Sequence, residues 1–386
     1  MSQDVPRGAE LMRIYDISGG GADTAGQKDN EPQKRSARTA GMPPAAVKKR
    51  RKKEETGRIR MNNRLDKYFS EYLDQFVFLE LMPEYVKRER LDFMRNVPMP
   101  IKKEHLKELA GEEGIQFLYF IEGMVCLFGI DSDFRYRSQY VNFLKYVNKD
   151  IGKRLVALAI AQAESENLEH AAILLRAALC LNENDPDALY NYMLVCRNLY
   201  SEGEDGTYIA DFKAEVLESL LKLKSAKPDF PMTYYFLGYA YVNAGKYEAA
   251  QREWKKFLSL GEPGEEYTEI TKRLSELEIP VKMEQGYMNV INGRWKEGLE
   301  ILEAYKDEEI AQSWWPLSYY LGVGYSRTGR YDEALRSLKK ALYEYPSGAE
   351  IMAELVIVYN ALGDEVNAEK YKKKIEVVRR NAKREE

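Results

Sequence analysis

Two stretches of this chain carry nearly the same phrase. Tyr235-Phe-Leu-Gly-Tyr-Ala-Tyr241 runs into Gly245-Lys-Tyr-Glu-Ala-Ala250, and Tyr320-Leu-Gly-Val-Gly-Tyr325 runs into Gly329-Arg-Tyr-Asp-Glu-Ala334. A repeated unit of this size cannot bury its apolar face alone, so neighbouring units must stack, and that requirement constrains the whole fold. In the second copy Leu321, Gly322 and Tyr325 share one face of a first helix. Ala334, Leu338 and Ala341 share one face of a second, which Pro346 ends. The small residues sit where two backbones must approach, and the large ones fill the space between them. Gly329 supplies the backbone freedom that turns one helix into the next.

The phrase recurs at a fixed step. Gly322 to Val356 is 34 residues, with Leu355, Tyr359, Gly363 and Ala368 in register, and Ala159 to Met193 is 34 again. Around Gly238 the residues Leu237, Tyr241, Ala250 and Trp254 keep the pattern, while Phe257 departs from it. Met193 to Gly238 is 45 residues, 11 beyond the period, and the surplus is expected in the polar turn Ser201-Glu-Gly-Glu-Asp-Gly-Thr207. Gly238 to Gly286 is 48 residues, and that surplus of 14 is expected as a charged helix, Glu265 to Leu277. Six units are expected, near 152–185, 186–230, 231–264, 279–314, 315–348 and 349–380. The fourth is degenerate, keeping only Gly293, Trp295 and Gly298.

This pattern resembles the tetratricopeptide repeat family. The resemblance implies an all-α fold, a right-handed α-solenoid of helix-turn-helix repeats over residues 151–386, and no sheet. Residues 61–150 are expected to be helical but off the repeat. Leu65, Tyr68, Phe69, Tyr72, Leu73, Phe76 and Phe78 make one stripe; Ile115, Leu118, Ile121, Met124 and Val125 a second; Tyr140, Phe143, Leu144 and Val147 a third. Val97-Pro-Met-Pro100 separates the first two. An N-terminal helical cap is expected here, covering the apolar end of the stack. A DNA-reading helix-turn-helix over Lys102–Val125 is the alternative, but its second helix lacks the donors that base edges require.

Residues 1–60 contain Gly19-Gly-Gly21 and little apolar periodicity, so a disordered N-terminal arm is expected. They hold 14 Lys+Arg against 8 Asp+Glu, net +6, which leaves −10 on the remainder of a chain whose total is −4. Lys48, Lys49, Arg50, Arg51, Lys52 and Lys53 are consecutive and suit weak, sequence-independent attraction to a polyanion.

Composition at 45% hydrophobic and 31% charged is that of a globular helical chain, with no run long enough to span a membrane and no apolar leader expected. Cys126, Cys180 and Cys196 lack CxxC spacing and are expected as buried reduced thiols, which suits the cytoplasm first and the nucleus second. The two histidines, His105 and His170, have no partner at ligand spacing, and Asp131-Ser-Asp133 lacks the rest of a calcium loop. Gly322-Val-Gly324 belongs to the repeat and not to a dinucleotide fingerprint. No catalytic residue, cofactor or metal is expected, and the chain is read as no enzyme.

What the resemblance implies about function is a groove lined by the first helices. The positions that face a ligand in that family correspond here to Tyr190, Asn191, Arg197 and Asn198; Tyr235, Phe236, Tyr239 and Asn243; Met283, Glu284 and Tyr287; Tyr319, Tyr320 and Arg327; and Asn360. About half of these are expected to pack between helices instead, Tyr320 and Phe236 among them. The lysines with which some members clamp a chaperone tail are missing, since Val156, Ile160, Tyr235, Tyr239, Tyr319 and Val323 stand at those positions. Arg197 and Arg327 are left for an acidic partner. The expected function is a protein-protein interaction scaffold that holds a partner peptide or helix. The alternatives are a nucleic-acid or anionic-surface adaptor acting through the basic arm, and a peptide-sensing regulator. Self-association and the partner's identity stay open at this point.

Overall fold

The computed structural model describes residues 63–81, 86–87, 90–105, 117–203, 205–308 and 314–385. The basic arm, Lys48–Lys53 included, lies outside them. The chain divides into two compact units, one ending at Thr233 and the other starting at Tyr234.

The first unit opens with a one-turn helix α1 (Asp66–Phe69), runs through a 3-10 segment (Ser70–Gln75) and enters strand β1 (Phe76–Glu80), which pairs antiparallel with β2 (Pro98–Lys102). The expectation of a chain without a sheet is corrected here. The apolar stripe from Leu65 to Phe78 is not one helix, because Phe76-Val-Phe-Leu79 is β-prone and finds a partner in the segment read as a break. Pro98 and Pro100, two residues apart, put both missing N–H groups on one edge of β2. Met99 and Ile101 keep their donors for the other edge, where they oppose Leu79 and Val77.

Helix α2 (Phe117–Ile130) packs on this hairpin and on the repeats behind it. Its glycines set both approaches. A methyl group at Gly123 would meet the Pro100 carbonyl oxygen at 2.2 Å, and one at Gly129 the Ile173 carbonyl oxygen at 2.1 Å. Helix α3 (Arg137–Val147) buries Tyr140, Phe143 and Leu144. The hairpins α4 (Ile151–Glu164)/α5 (Leu168–Leu181) and α6 (Pro186–Glu202)/α7 (Gly206–Ala226) follow. Helices α4 and α5 have 14 residues each, whereas α6 and α7 have 17 and 21. The surplus expected in the Ser201–Thr207 turn is thus mostly helix. Asp205 accepts from the Tyr208 N–H at 2.8 Å and caps α7 early, which leaves the turn short.

At the centre of this unit Arg176 is fully buried. Its Nε donates to the Gly129 carbonyl at 2.5 Å, its guanidinium pairs with Asp66, and it lies 5.1 Å from the centroid of the Phe69 ring. Alongside, Tyr68 and Lys67 both reach Asp211 at 2.8 Å, and Tyr192 donates to Glu215 at 3.1 Å. The segment before the repeats is therefore sewn into them by charge as well as by apolar surface.

The second unit opens within helix α8 (Pro231–Asn243) and continues as α9 (Tyr247–Leu260), α10 (Glu265–Glu276), α11 (Glu278–Ile291), α12 (Trp295–Tyr305), α13 (Trp315–Arg327), α14 (Tyr331–Glu344), α15 (Ala349–Ala361) and α16 (Glu365–Glu385). The 14-residue surplus is the separate helix α10. The hairpins are tetratricopeptide-like in their close contacts. A methyl at Gly322 would lie 2.6 Å from Leu338 Cγ, one at Gly286 2.6 Å from Leu302, and one at Gly238 1.9 Å from the Trp254 indole nitrogen. Gly245, Gly293, Gly329 and Gly363 turn the four hairpins at φ of +67, +78, +79 and +74°, a region that side chains resist. Leu302, Leu338, Leu355 and Val358 form the core between them, all with 0% exposure.

Candidate functional site

In the second unit the α8 face is covered from within the chain. Glu269 on α10 accepts hydrogen bonds from both Tyr235, at 3.0 Å, and Tyr239, while Arg273 lies 6.0 Å from the Tyr239 ring centroid. Tyr239 also meets Trp254 edge-on at 5.0 Å and Tyr235 at 5.1 Å. Burial, and after it the neighbouring phenol and Glu269, drives the Tyr235 hydroxyl well above its ordinary range; burial and the Glu269 bond do the same for Tyr239. Tyr235 is 4% exposed and Phe236 7%, so both pack inside, and Tyr239 is half-buried. Only Asn243 of this group is exposed. Tyr239, placed by the resemblance among the ligand-facing positions, is held here by contacts within the chain. A period of 34 predicts an open face here; the extra helix fills it.

Past α10 the same face reopens. Tyr287 on α11 stacks on Tyr320 on α13, with centroids 5.0 Å apart and planes 17° off parallel, and Tyr319 meets Tyr320 at 5.1 Å. Trp314 adds an edge 6.0 Å from Tyr287, and Trp315 stacks on Tyr345 at 4.8 Å. All five of Tyr287, Trp314, Trp315, Tyr319 and Tyr320 are half-buried, each with one side on the core and one side out. Carboxylates rim the rings. The charge of Glu284 acts on Tyr287, that of Glu350 on Tyr319 and Tyr320, and that of Glu354 on Tyr319. Burial first, and these charges after it, push Tyr287 and Tyr319 up to about 12.

Arg327 is not free for an acidic partner. Its two terminal nitrogens donate to the two Glu354 oxygens at 3.0 and 2.9 Å, a fork-to-fork pair. Asn360 is exposed on α15. Met283 is buried at 3% exposure and belongs to the core. Glu284 accepts from the Glu248 N–H at 2.6 Å and keeps its charge on the face.

In the first unit Tyr190, 1% exposed, packs edge-on to Phe230 at 5.1 Å, and the Asn191 amide donates back to the Asp187 carbonyl at 2.9 Å. Both fill the interior. Arg197 hydrogen-bonds Tyr200 and is half-buried, as is Asn198. The DNA-reading alternative finds no support, since Lys102 ends a strand and every residue from Gly123 to Ile130 is buried. Cys126, Cys180 and Cys196 are buried and outside any disulfide, and burial pushes Cys126 up to about 11. No described helix is long and apolar enough to cross a membrane.

Sequence reasoning missed Trp314 and Trp315, which fall outside the family's ligand positions, and passed over Glu350 and Glu354, which stand at two of those positions in the last unit. The signal was present as Trp314-Trp-Pro316 before a helix rich in tyrosine.

No protein-family model and no curated protein sequence matches this chain. Among solved structures it is similar to the TPR domain of P58(IPK), 13% identical, with a TM-score of 0.41, covering 69% of this chain and 79% of that one. It is also similar to YrrB, described as a TPR protein with an unusual peptide-binding site, at 17% identity and a TM-score of 0.28 over 58% of this chain and 97% of that one. For pilF of Pseudomonas aeruginosa the values are 13%, 0.30, 62% and 99%. The repeat assignment rests on the glycine contacts and turn angles of the hairpins themselves.

Proposed function

We propose that this protein is a non-enzymatic interaction scaffold that holds a partner peptide against the face of Tyr287, Tyr319 and Tyr320. The observation that carries this is the half-exposed stack of those three rings on successive first helices. Flat rings bury much surface on binding at little rotamer cost, and their hydroxyls stay neutral at physiological pH, able to donate to a peptide carbonyl.

The partner's charge follows from the rim. The charges of Glu284, Glu350 and Glu354 act on these rings, and the guanidinium of Arg327 beside them is already engaged by Glu354. Such a face suits a peptide bearing Lys or Arg, whose cation gains from both a ring face and a carboxylate. This reverses the acidic partner expected from Arg197 and Arg327.

Trp314 and Trp315 adjoin the face and report its occupancy. The test is a fluorescence titration of the full chain with two peptides of equal length, one Lys/Arg-rich and one Asp/Glu-rich, each carrying a central aromatic. The basic peptide should bind, the acidic one should not, and Tyr320→Ala should abolish binding without unfolding the chain. Equal affinity for both peptides would remove the charge assignment. Retained binding in Tyr320→Ala would remove the site.

A further inference from the structure

The first unit holds a cluster that peptide binding leaves unused. Lys102, Glu104 and His105 follow one another where β2 ends, and Glu122 faces them from α2. His105 Nε2 lies 3.3 Å from Glu122 Oε2 and 3.7 Å from Glu104 Oε1, and the three donor atoms all fall within 4.8 Å of one another. The second Glu122 oxygen is held by Lys102 Nζ at 2.6 Å, and the same ammonium lies 3.8 Å from Glu104 Oε1. The imidazole is fixed in plane by stacking on Tyr119, with centroids 3.8 Å apart. Its Nε2 is shut off from solvent yet makes no hydrogen bond.

The chain has only two histidines, and the Glu122 charge acts on the second of them as well. His170 on α5 feels the charges of Lys102 and Glu122, and so does Cys126, one turn beyond Glu122. The three donors come from two elements, Glu104 and His105 just past the end of β2 and Glu122 on α2. No sequence spacing announces the cluster.

We propose that Glu104, His105 and Glu122 form a binding site for one divalent transition-metal ion of the zinc class. A plain imidazole–carboxylate pair closes to about 2.7–2.9 Å. Here the donors stand farther apart, as they do around a shared centre. Zinc bonds to imidazole nitrogen and carboxylate oxygen at about 2.0–2.2 Å, which in a tetrahedron sets neighbouring donors about 3.3–3.5 Å apart. The observed 3.3 and 3.7 Å to His105 need shifts of only a few tenths of an ångström, and the Glu104–Glu122 separation, within 4.8 Å, closes by rotation of the exposed Glu104 side chain. Imidazole with carboxylates suits zinc better than calcium or magnesium, which take oxygen alone. Lys102 orients Glu122 by its outer oxygen, the second contact that metal-binding carboxylates need. The ion would clasp the end of β2 to α2, with its fourth position left to water.

The experiment is calorimetric titration of the full, folded chain with Zn2+, together with the visible absorption of bound Co2+. One ion per chain, the Co2+ bands of a four-coordinate nitrogen and oxygen site, and a Zn2+-dependent rise in unfolding midpoint that EDTA reverses are expected. His105→Gln and Glu122→Gln should each weaken binding about tenfold or more. Glu104 is the arm least able to disturb folding, since its side chain is 66% exposed, and Glu104→Gln should weaken binding while the circular dichroism spectrum stays unchanged. Failure of the wild-type chain to take up Zn2+ at submillimolar concentration overturns the proposal. So does wild-type affinity in both Glu104→Gln and His105→Gln.

Discussion

Gly238→Ala tests whether a missing side chain, and not a flexible backbone, holds the second unit's first hairpin together. The added methyl would lie 1.9 Å from Trp254 Nε1, 2.2 Å from Cδ1 and 2.5 Å from Cε2, all atoms of the five-membered ring. Trp254 is 1% exposed, boxed in by Tyr239, and its Nε1 donates to the Tyr235 carbonyl at 3.0 Å, so the indole has nowhere to swing. Overpacking costs about 1–3 kcal/mol. Loss of the indole hydrogen bond adds about 1 kcal/mol, for a total of about 2–4 kcal/mol. Trp254→Phe deletes the colliding ring atoms, so the same glycine substitution should cost under about 1 kcal/mol in that background, a coupling of the size contacting residues show. Urea unfolding followed by tryptophan fluorescence reads the right unit, because Trp254, Trp295, Trp314 and Trp315 are the only tryptophans and all lie in it. A loss under about 0.5 kcal/mol for Gly238→Ala, or an equal loss in both backgrounds, would refute the steric account.

Arg176→Met should destabilise the first unit by about 3–5 kcal/mol, because the Asp66 carboxylate is left without its cation; adding Asp66→Asn should recover part of that, read by hydrogen exchange of α5. Recovery of nothing would mean that the guanidinium acts through its bulk alone. Arg327→Ala should cost under about 1 kcal/mol, since the pair is on the surface, yet strengthen binding of the Lys/Arg-rich peptide by releasing Glu354; weaker binding would place Arg327 among the partner contacts. Tyr287 and Tyr319 titrate at about 12 in the folded chain against 10.0 for an ordinary tyrosine. A raised folded value means that their contribution to stability is complete below pH 10 and is lost as pH climbs to about 12. The urea midpoint of the second unit should fall across that window, and less steeply in Tyr319→Phe. An unchanged slope would assign the alkaline loss to other groups.

The helix pairs were legible because their constraints are local. Gly322 against Leu338 and the left-handed turn at Gly329 lie within one repeat, so the residue types alone disclose them. Three things were hidden, each for a physical reason. The Phe76–Leu79 run is apolar without a decisive period, and whether it becomes helix or strand depends on a partner some twenty residues away. The α8 face looks open in any repeat alignment, and only the fold brings Glu269 over Tyr235 and Tyr239. Tyr190 and Asn191 match ligand positions in the family, but the ring of Phe230 and the carbonyl of Asp187 take them inward.

The ion pairs at the centre of the first unit also set an order of events on the ribosome. Asp66 waits for Arg176, 110 residues on, and Tyr68 waits for Asp211, 143 residues on. In the second unit the comparable links are short: Trp254 reaches Tyr235 across 19 residues, and Arg327 reaches Glu354 across 27. At about 5–20 residues per second, the opening segment emerges roughly 7–30 s before its last partner does. For that interval Leu65 and Phe69 have no core to enter, although both are almost wholly enclosed in the finished protein. A nascent chain stalled before Asp211 should therefore engage general chaperones through its first turns, whereas the later hairpins can close almost as soon as they appear.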